Sequence, residues 1–135
     1  MTTLKELAEL RSAGEVVWEN RRYEATYVVD APGVRQELGE GIPVLHLGQV
    51  EAIDAVRQAF PNVRWTVVAL TCPRDVAERR IVQRQTGDSW ARLRAWDETE
   101  SITTVNLTID TSETPPVSAA KLINQVVRRR DASAV

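Results

Sequence analysis

Between Arg79 and Arg94 the chain reads RRIVQRQTGDSWARLR, five arginines in sixteen residues. Over residues 73–94 there are six arginines (74, 79, 80, 84, 92, 94) against three acids (75, 78, 88) and no lysine. That is a local charge of +3 in a chain of formal net charge −2, which leaves −5 for the rest. Guanidinium is planar, always charged, and holds phosphate oxygens through two parallel hydrogen bonds, so an arginine-only cluster suits an anion. Arg80 and Arg84 lie four apart, on one face of any helix formed there, and Arg92 follows a short Gly-Asp-Ser turn. Charges on a helix also form ordinary solvated faces, and Asp75 with Arg79 makes a common i,i+4 pair. Charge pattern alone leaves both readings open.

Other residues qualify by type and place. His46 is the only histidine, too few for a metal site but able to act as an acid, a base or a substrate contact. Gln49 follows Gly48 at a helix start, where backbone N–H groups favour anions. Asp110, Thr111 and Ser112 leave an apolar run, and D-T-S is equally an ordinary turn. The single cysteine, Cys72, excludes an internal disulfide, suits a reducing compartment and reads as a structural thiol. Trp18, Trp65, Trp90 and Trp96 read as packing residues rather than base-stacking surfaces.

The elements that must position these residues follow from pattern. Thr3 and Glu6 form a capping-box pair ahead of Leu4, Leu7, Ala8 and Leu10, with Gly14 as the helix stop. EVVWE (15–19) and RYEATYVV (22–29) read as strands. Asp30 with Pro32 starts a second helix that stops among Gly39 and Gly41. IPVLHLG (42–48), WTVVALT (65–71) and VNLTID (105–110) are short apolar runs, each followed by a helical stretch; Asp88 caps a further helix. Apolar strands alternating with helices predict an α/β domain with a parallel sheet flanked by helices. In such sheets ligands bind beyond the carboxyl ends of the strands, which is where His46, Gly48 and Gln49, Thr71 to Arg74, and Asp110 to Ser112 would fall.

Composition sets the bounds. At 135 residues, 43% hydrophobic and 27% charged, the chain is expected to form a single globular domain over 1–130 with a disordered tail at 131–135. No run is long and apolar enough to span a membrane, and the N-terminus lacks a signal-peptide pattern. Without a basic excess, nucleic acid is not expected as a partner. The cytoplasm is the expected location.

Taken in order, GEVVWENRRYEATY, IPVLHLGQ, TVVALTCPRDVAERRIVQRQ, WARL and NLTID resemble the guanylate kinase branch of the P-loop nucleoside monophosphate kinases. They are also similar to the related ribose-bisphosphate phosphokinases. The resemblance spans about Leu4 to Val127. It implies a P-loop kinase-like sheet, an acceptor-binding region at 1–41, and a core at 42–130 with a lid at about 79–94. It further implies phosphate-clamping roles for Arg80, Arg84 and Arg92, and acceptor contacts from Glu19, Tyr23, Thr26, His46 and Gln49. Asp110 and Thr111 would lie near the nucleotide, with ATP and Mg²⁺ as donor and metal and a phosphorylated small molecule as acceptor.

Three features depart from that family. The turn between Arg84 and Arg92 is shorter than usual. The Tyr-Gly-Ser/Thr motif becomes Tyr23-Glu24-Ala25, with Thr26 one place late. No Gly-x-x-x-x-Gly-Lys-Ser/Thr occurs in the 135 residues, and that loop is what cradles the β- and γ-phosphates and places the metal. In the family the loop and the first strand precede everything matched here, so Met1 reads as an internal methionine of a longer frame. The expectation is a phosphotransferase that is inactive or nearly so in this form, poorly stable or self-associating through unpaired strand edges. A non-catalytic guanylate kinase-like binding module is the alternative.

Overall fold

The computed structural model describes residues 2–22, 25–84, 87–98 and 104–132. It divides into two compact units, residues 1–63 and 64–135. Both mix helices with strands, and the second contains a small parallel sheet.

The first unit begins with helix α1 (Leu4–Ser12). The Thr3 hydroxyl accepts from the Glu6 backbone N–H at 3.1 Å, and the Glu6 carboxylate accepts from the Thr3 N–H at 2.6 Å, a complete capping box. Its C-terminus closes as the glycine predicts. Gly14, at φ 68°, lets its own N–H reach the Arg11 carbonyl and the Glu15 N–H reach the Leu10 carbonyl, the Schellman arrangement. Strands β1 (Val16–Arg22) and β2 (Ala25–Asp30) pair antiparallel, with an irregularity between Val16 and Trp18. Asp30 then caps α2 (Ala31–Glu40), its carboxylate accepting from the Gly33 N–H at 2.7 Å. Gly33 suits that contact, because an added Cβ would meet both Asp30 oxygens at 3.0 Å. Helix α3 (Val50–Ala59) packs on β1. Leu7, Ala31, Val34, Ala52 and Val56 form the buried core, one to two residues per helix at helical spacing. The Arg11 guanidinium forks onto Glu19 of β1, with Nε donating to Oε2 at 3.0 Å, and so ties α1 to the hairpin.

One expected element is missing from this unit. Residues 42–48 form no strand, and none of them makes a hydrogen bond among the described residues. An apolar run becomes a strand only when a neighbour completes its ladder, and none is paired with it.

In the second unit β3 (Val68–Thr71) and β4 (Leu107–Asp110) pair parallel, Val68 opposite Leu107 through to Thr71 opposite Asp110. Asn106 starts the ladder by accepting from the Val67 N–H through its side chain at 2.8 Å. Helix α4 (Arg74–Gln83) follows β3 and packs against α5 (Ser89–Glu98), and α6 (Pro116–Ala132) packs on β4. The last helix thus continues into the segment expected to fray. Val67, Ala69, Ala77 and Ile109 are buried. Arg74 clasps α4 to α5, its Nε and Nη2 donating to the two Asp97 oxygens at 2.9 and 3.1 Å. Trp90, expected to pack, is 85% exposed; Ala77 is the one buried residue of α4, and α5 has none. Among the described residues no helix is long and apolar enough to cross a membrane.

Two tests follow. Asp30→Ala removes the α2 cap and is expected to cost about 1 kcal/mol of stability, read as a lower urea midpoint, while Asp30→Asn retains most of it. The guanidinium bonds hold Glu19 and Asp97 below the usual carboxylate range, Arg11 acting on the first and Arg74 on the second. A lowered folded pKa means the contribution is complete above the ordinary values, 4.5 for Glu and 3.8 for Asp, and is lost as pH falls through the folded values. Stability should therefore decline on acidification below those values, and Asp97→Asn should flatten the decline. An identical acid slope in the variant would show that the clasp contributes nothing.

Candidate functional site

The carboxyl end of the parallel pair in the second unit is where chemistry-bearing side chains converge. β3 delivers Thr71 and β4 delivers Asp110, in register. The chain turns immediately after each, and the turn after β4 is locked to β3. The Thr111 N–H donates to the Thr71 carbonyl at 2.8 Å, and the Thr111 hydroxyl donates to the same carbonyl at 3.2 Å. Asp110 Oδ1 accepts from the Ser112 N–H at 2.8 Å and from its hydroxyl, an Asx-type turn. Its carbonyl takes the N–H groups of Glu113 and Thr114.

Arg80 reaches this edge from α4. Its Nη1 donates to the Thr111 hydroxyl at 2.6 Å and its Nη2 to the Thr111 carbonyl at 2.9 Å. A guanidinium carries five N–H donors, so two are used in fixing its plane and three remain for a ligand. Asp110 is held below the usual carboxylate range, first by the Ser112 hydroxyl, then by the Ser112 N–H, with Arg80 adding a favourable charge. Arg80, Asp110 and Thr111, singled out separately in the sequence, thus stand together. Thr71 and Ser112 complete the arrangement. Both were legible only as residues at the ends of apolar runs, Ser112 within the D-T-S turn.

The other two arginines differ. Arg92 of α5 is held by Asp88, the residue just before that helix, its Nε lying 2.8 and 2.9 Å from the two carboxylate oxygens. This i,i+4 pair is partly buried. Arg84 ends α4 as its C-terminal cap residue and is exposed, with no ion pair among the described residues. Arg79 faces out beside Asp75, 3.6 Å away in a pair that is mostly exposed.

In the first unit Glu19 is engaged by Arg11. Thr26 sits opposite Arg21 in the hairpin and lines an open groove of about 590 Å³ together with Thr3, Leu7 and Tyr27. Tyr23 lies outside the described residues. His46 is exposed within 42–48 and therefore stands at no strand end. Gln49 is the cap residue of α3, in extended conformation, without a side-chain capping bond. Its amide is thus not consumed by the helix start. Cys72 is half-buried and free.

Arg80 offers oriented donors beside a threonine turn. Among the described residues no group of three or more His, Cys, Asp or Glu could hold a metal ion, and one Asp110 oxygen is already taken by Ser112. Compared with protein-family models, curated proteins and solved structures, the chain matches none.

Proposed function

We propose that the chain is a guanylate kinase-like domain that binds a phosphate ester, such as a nucleotide, at the carboxyl ends of β3 and β4, and that by itself it binds without transferring phosphate. The observation that carries the reading is the seating of Arg80 against Thr111. A cation borne by a helix is fixed at the ligand-binding end of a parallel strand pair, with three N–H donors to spare. Arg84, exposed one helical turn further along α4, adds a second charge to the same arm. Phosphoryl transfer rests on positioning and on neutralising spread negative charge, and an arginine of this kind serves either binding or transfer. Transfer also requires a phosphate-cradling loop and a metal site, and these 135 residues contain no Gly-x-x-x-x-Gly-Lys-Ser/Thr. ATP and Mg²⁺ therefore belong to a phosphotransferase reading that needs a loop supplied from outside these residues.

A purely non-catalytic binding module is the second reading. The local Asp88–Arg92 pair favours it, because a clamp residue already neutralised by the residue before its helix has less charge to offer a transferring group.

Calorimetric titration at low salt with ADP and with a nucleoside monophosphate tests the proposal. Saturable binding is expected. Arg80→Gln should weaken it by about tenfold or more, since a charge-assisted bond contributes about 1.5–3 kcal/mol. Arg79→Gln, on the outward side of the same helix, should leave affinity within about twofold, because an exposed pair contributes little. Absence of saturable binding, or equal losses in the two variants, sinks the reading. ATP-dependent phosphorylation of a monophosphate by the 135-residue chain would show transfer without the loop and overturn the second half of the proposal.

A further inference from the structure

The two-stranded sheet of the second unit has an open side. The carbonyls of Val67 and Thr71 both accept from the β4 segment, at Asn106, Leu107 and Thr111. Backbone groups alternate sides along a strand, so Val68 and Leu70 direct their N–H and C=O groups away from β4. Among the described residues no strand pairs with that edge. It carries none of the devices that keep edges from pairing, such as an outward lysine, a proline or a bulge. Residues 66–71 read TVVALT, without a charge, and Leu70 is 59% exposed.

The same chain carries a segment with the complementary deficit. Residues 42–48, IPVLHLG, have no Asp, Glu, Lys or Arg and make no hydrogen bond among the described residues. Their exposure alternates with the period of a strand. Ile42, Val44, His46 and Gly48 are exposed, while Pro43, Leu45 and Leu47 are half-buried. Val44 is 74% exposed and Ile42 59%. Pro43 is no obstacle: if Val44, His46 and Gly48 turn their N–H groups toward a ladder, Pro43 faces the outer side, where an edge strand needs no donor.

We propose that two copies of the chain associate by exchange, residues 42–48 of each adding as a third strand to the open β3 edge of the other. Each copy supplies one uncharged strand and one uncharged edge, so the contact is reciprocal and closes as a twofold dimer. Main-chain hydrogen bonds supply affinity, and the apolar side chains on the joined face supply register. The partner is a second copy because both halves of the contact are present in one sequence and neither carries charge that would repel its like. This inference does not depend on the phosphate-binding reading.

Sedimentation equilibrium of the full chain over a range of concentrations tests it, with far-UV circular dichroism to confirm folding. A monomer–dimer equilibrium is expected. Val44→Lys and Leu70→Lys, both at exposed positions that leave the buried core intact, should each weaken the dimer by about tenfold or more. Mixing the two variants should restore association beyond that of either alone, because the mixed dimer keeps one intact strand-and-edge pair. Amides of Val44, His46 and Gly48 should also gain hydrogen-exchange protection as concentration rises, while those of Leu45 and Leu47, on the outer side, should not. The proposal is overturned by a wild-type chain that stays monomeric to about 100 µM. It is equally overturned if Leu70→Lys disrupts association while Val44→Lys does not, since that pattern marks β3 pairing with β3 or with a different partner.

Discussion

The arrangement at the candidate site depends on one backbone oxygen. The Thr71 carbonyl, at the last residue of β3, receives both the N–H and the hydroxyl of Thr111. Those two bonds hold the start of the turn after β4 against the end of β3. They also leave the Thr111 hydroxyl and carbonyl presenting lone pairs toward α4, where Arg80 takes both. A parallel pair makes this possible because both strands end on the same side. An antiparallel pair would send the second chain away from the helix that follows the first. The hydroxyl matters as much as the backbone: only a group that donates and accepts at once can bridge Thr71 to Arg80.

Electrostatics then sorts the arginines. Three of the six arginines in the basic window are paired with carboxylates. Arg74 closes α4 onto α5 through Asp97, Arg92 is held by Asp88, and Arg79 sits beside Asp75. The local excess of positive charge therefore overstates what a ligand would meet. Arg80 is different because its partners are a hydroxyl and a carbonyl rather than a carboxylate, so its plane is fixed while its charge is not cancelled. Asp110 stands near enough to interact with it and reduces the local potential. The fixed guanidinium plane selects by direction as well as by charge, since surface charge alone discriminates poorly once salt screens it.

What could be read from the sequence was chiefly local. The capping box at Thr3 and Glu6, the stop at Gly14 and the start at Asp30 are encoded within a few residues, and each was legible because its partners lie within five positions in the chain. The helices that follow the apolar runs, and strands within 65–71 and 105–110 in a parallel sheet, were legible from periodicity; which strand would pair with which was not. The Arg80–Thr111 contact was not, since it joins residues 31 apart and nothing in either neighbourhood points to the other. The Arg11–Glu19 and Arg74–Asp97 clasps were missed for the same reason. Trp90 was misjudged because size favours burial on average, yet Ala77 is the one buried residue of α4 and α5 has none, which leaves the indole outside.

The segment 42–48 shows a different limit. Its composition is that of an interior strand, and its exposure even alternates as a strand's would, but a strand is a property of a pair. Each residue of an unpaired run keeps its N–H and C=O for water, and half-burying Leu45 and Leu47 does not supply the missing bonds. Among the described residues the β3 edge also has no partner strand, and an uncharged edge is a template for pairing. Hydrophobic pattern reports the tendency to leave water and says nothing about whether a ladder is on offer. The first unit meets that shortage by leaving 42–48 irregular. The second meets it by shortening β3 and β4 to four residues each. Those four residues suffice for the site, because the site needs only the end of a parallel ladder, where Thr71 and Asp110 stand side by side, and not its length.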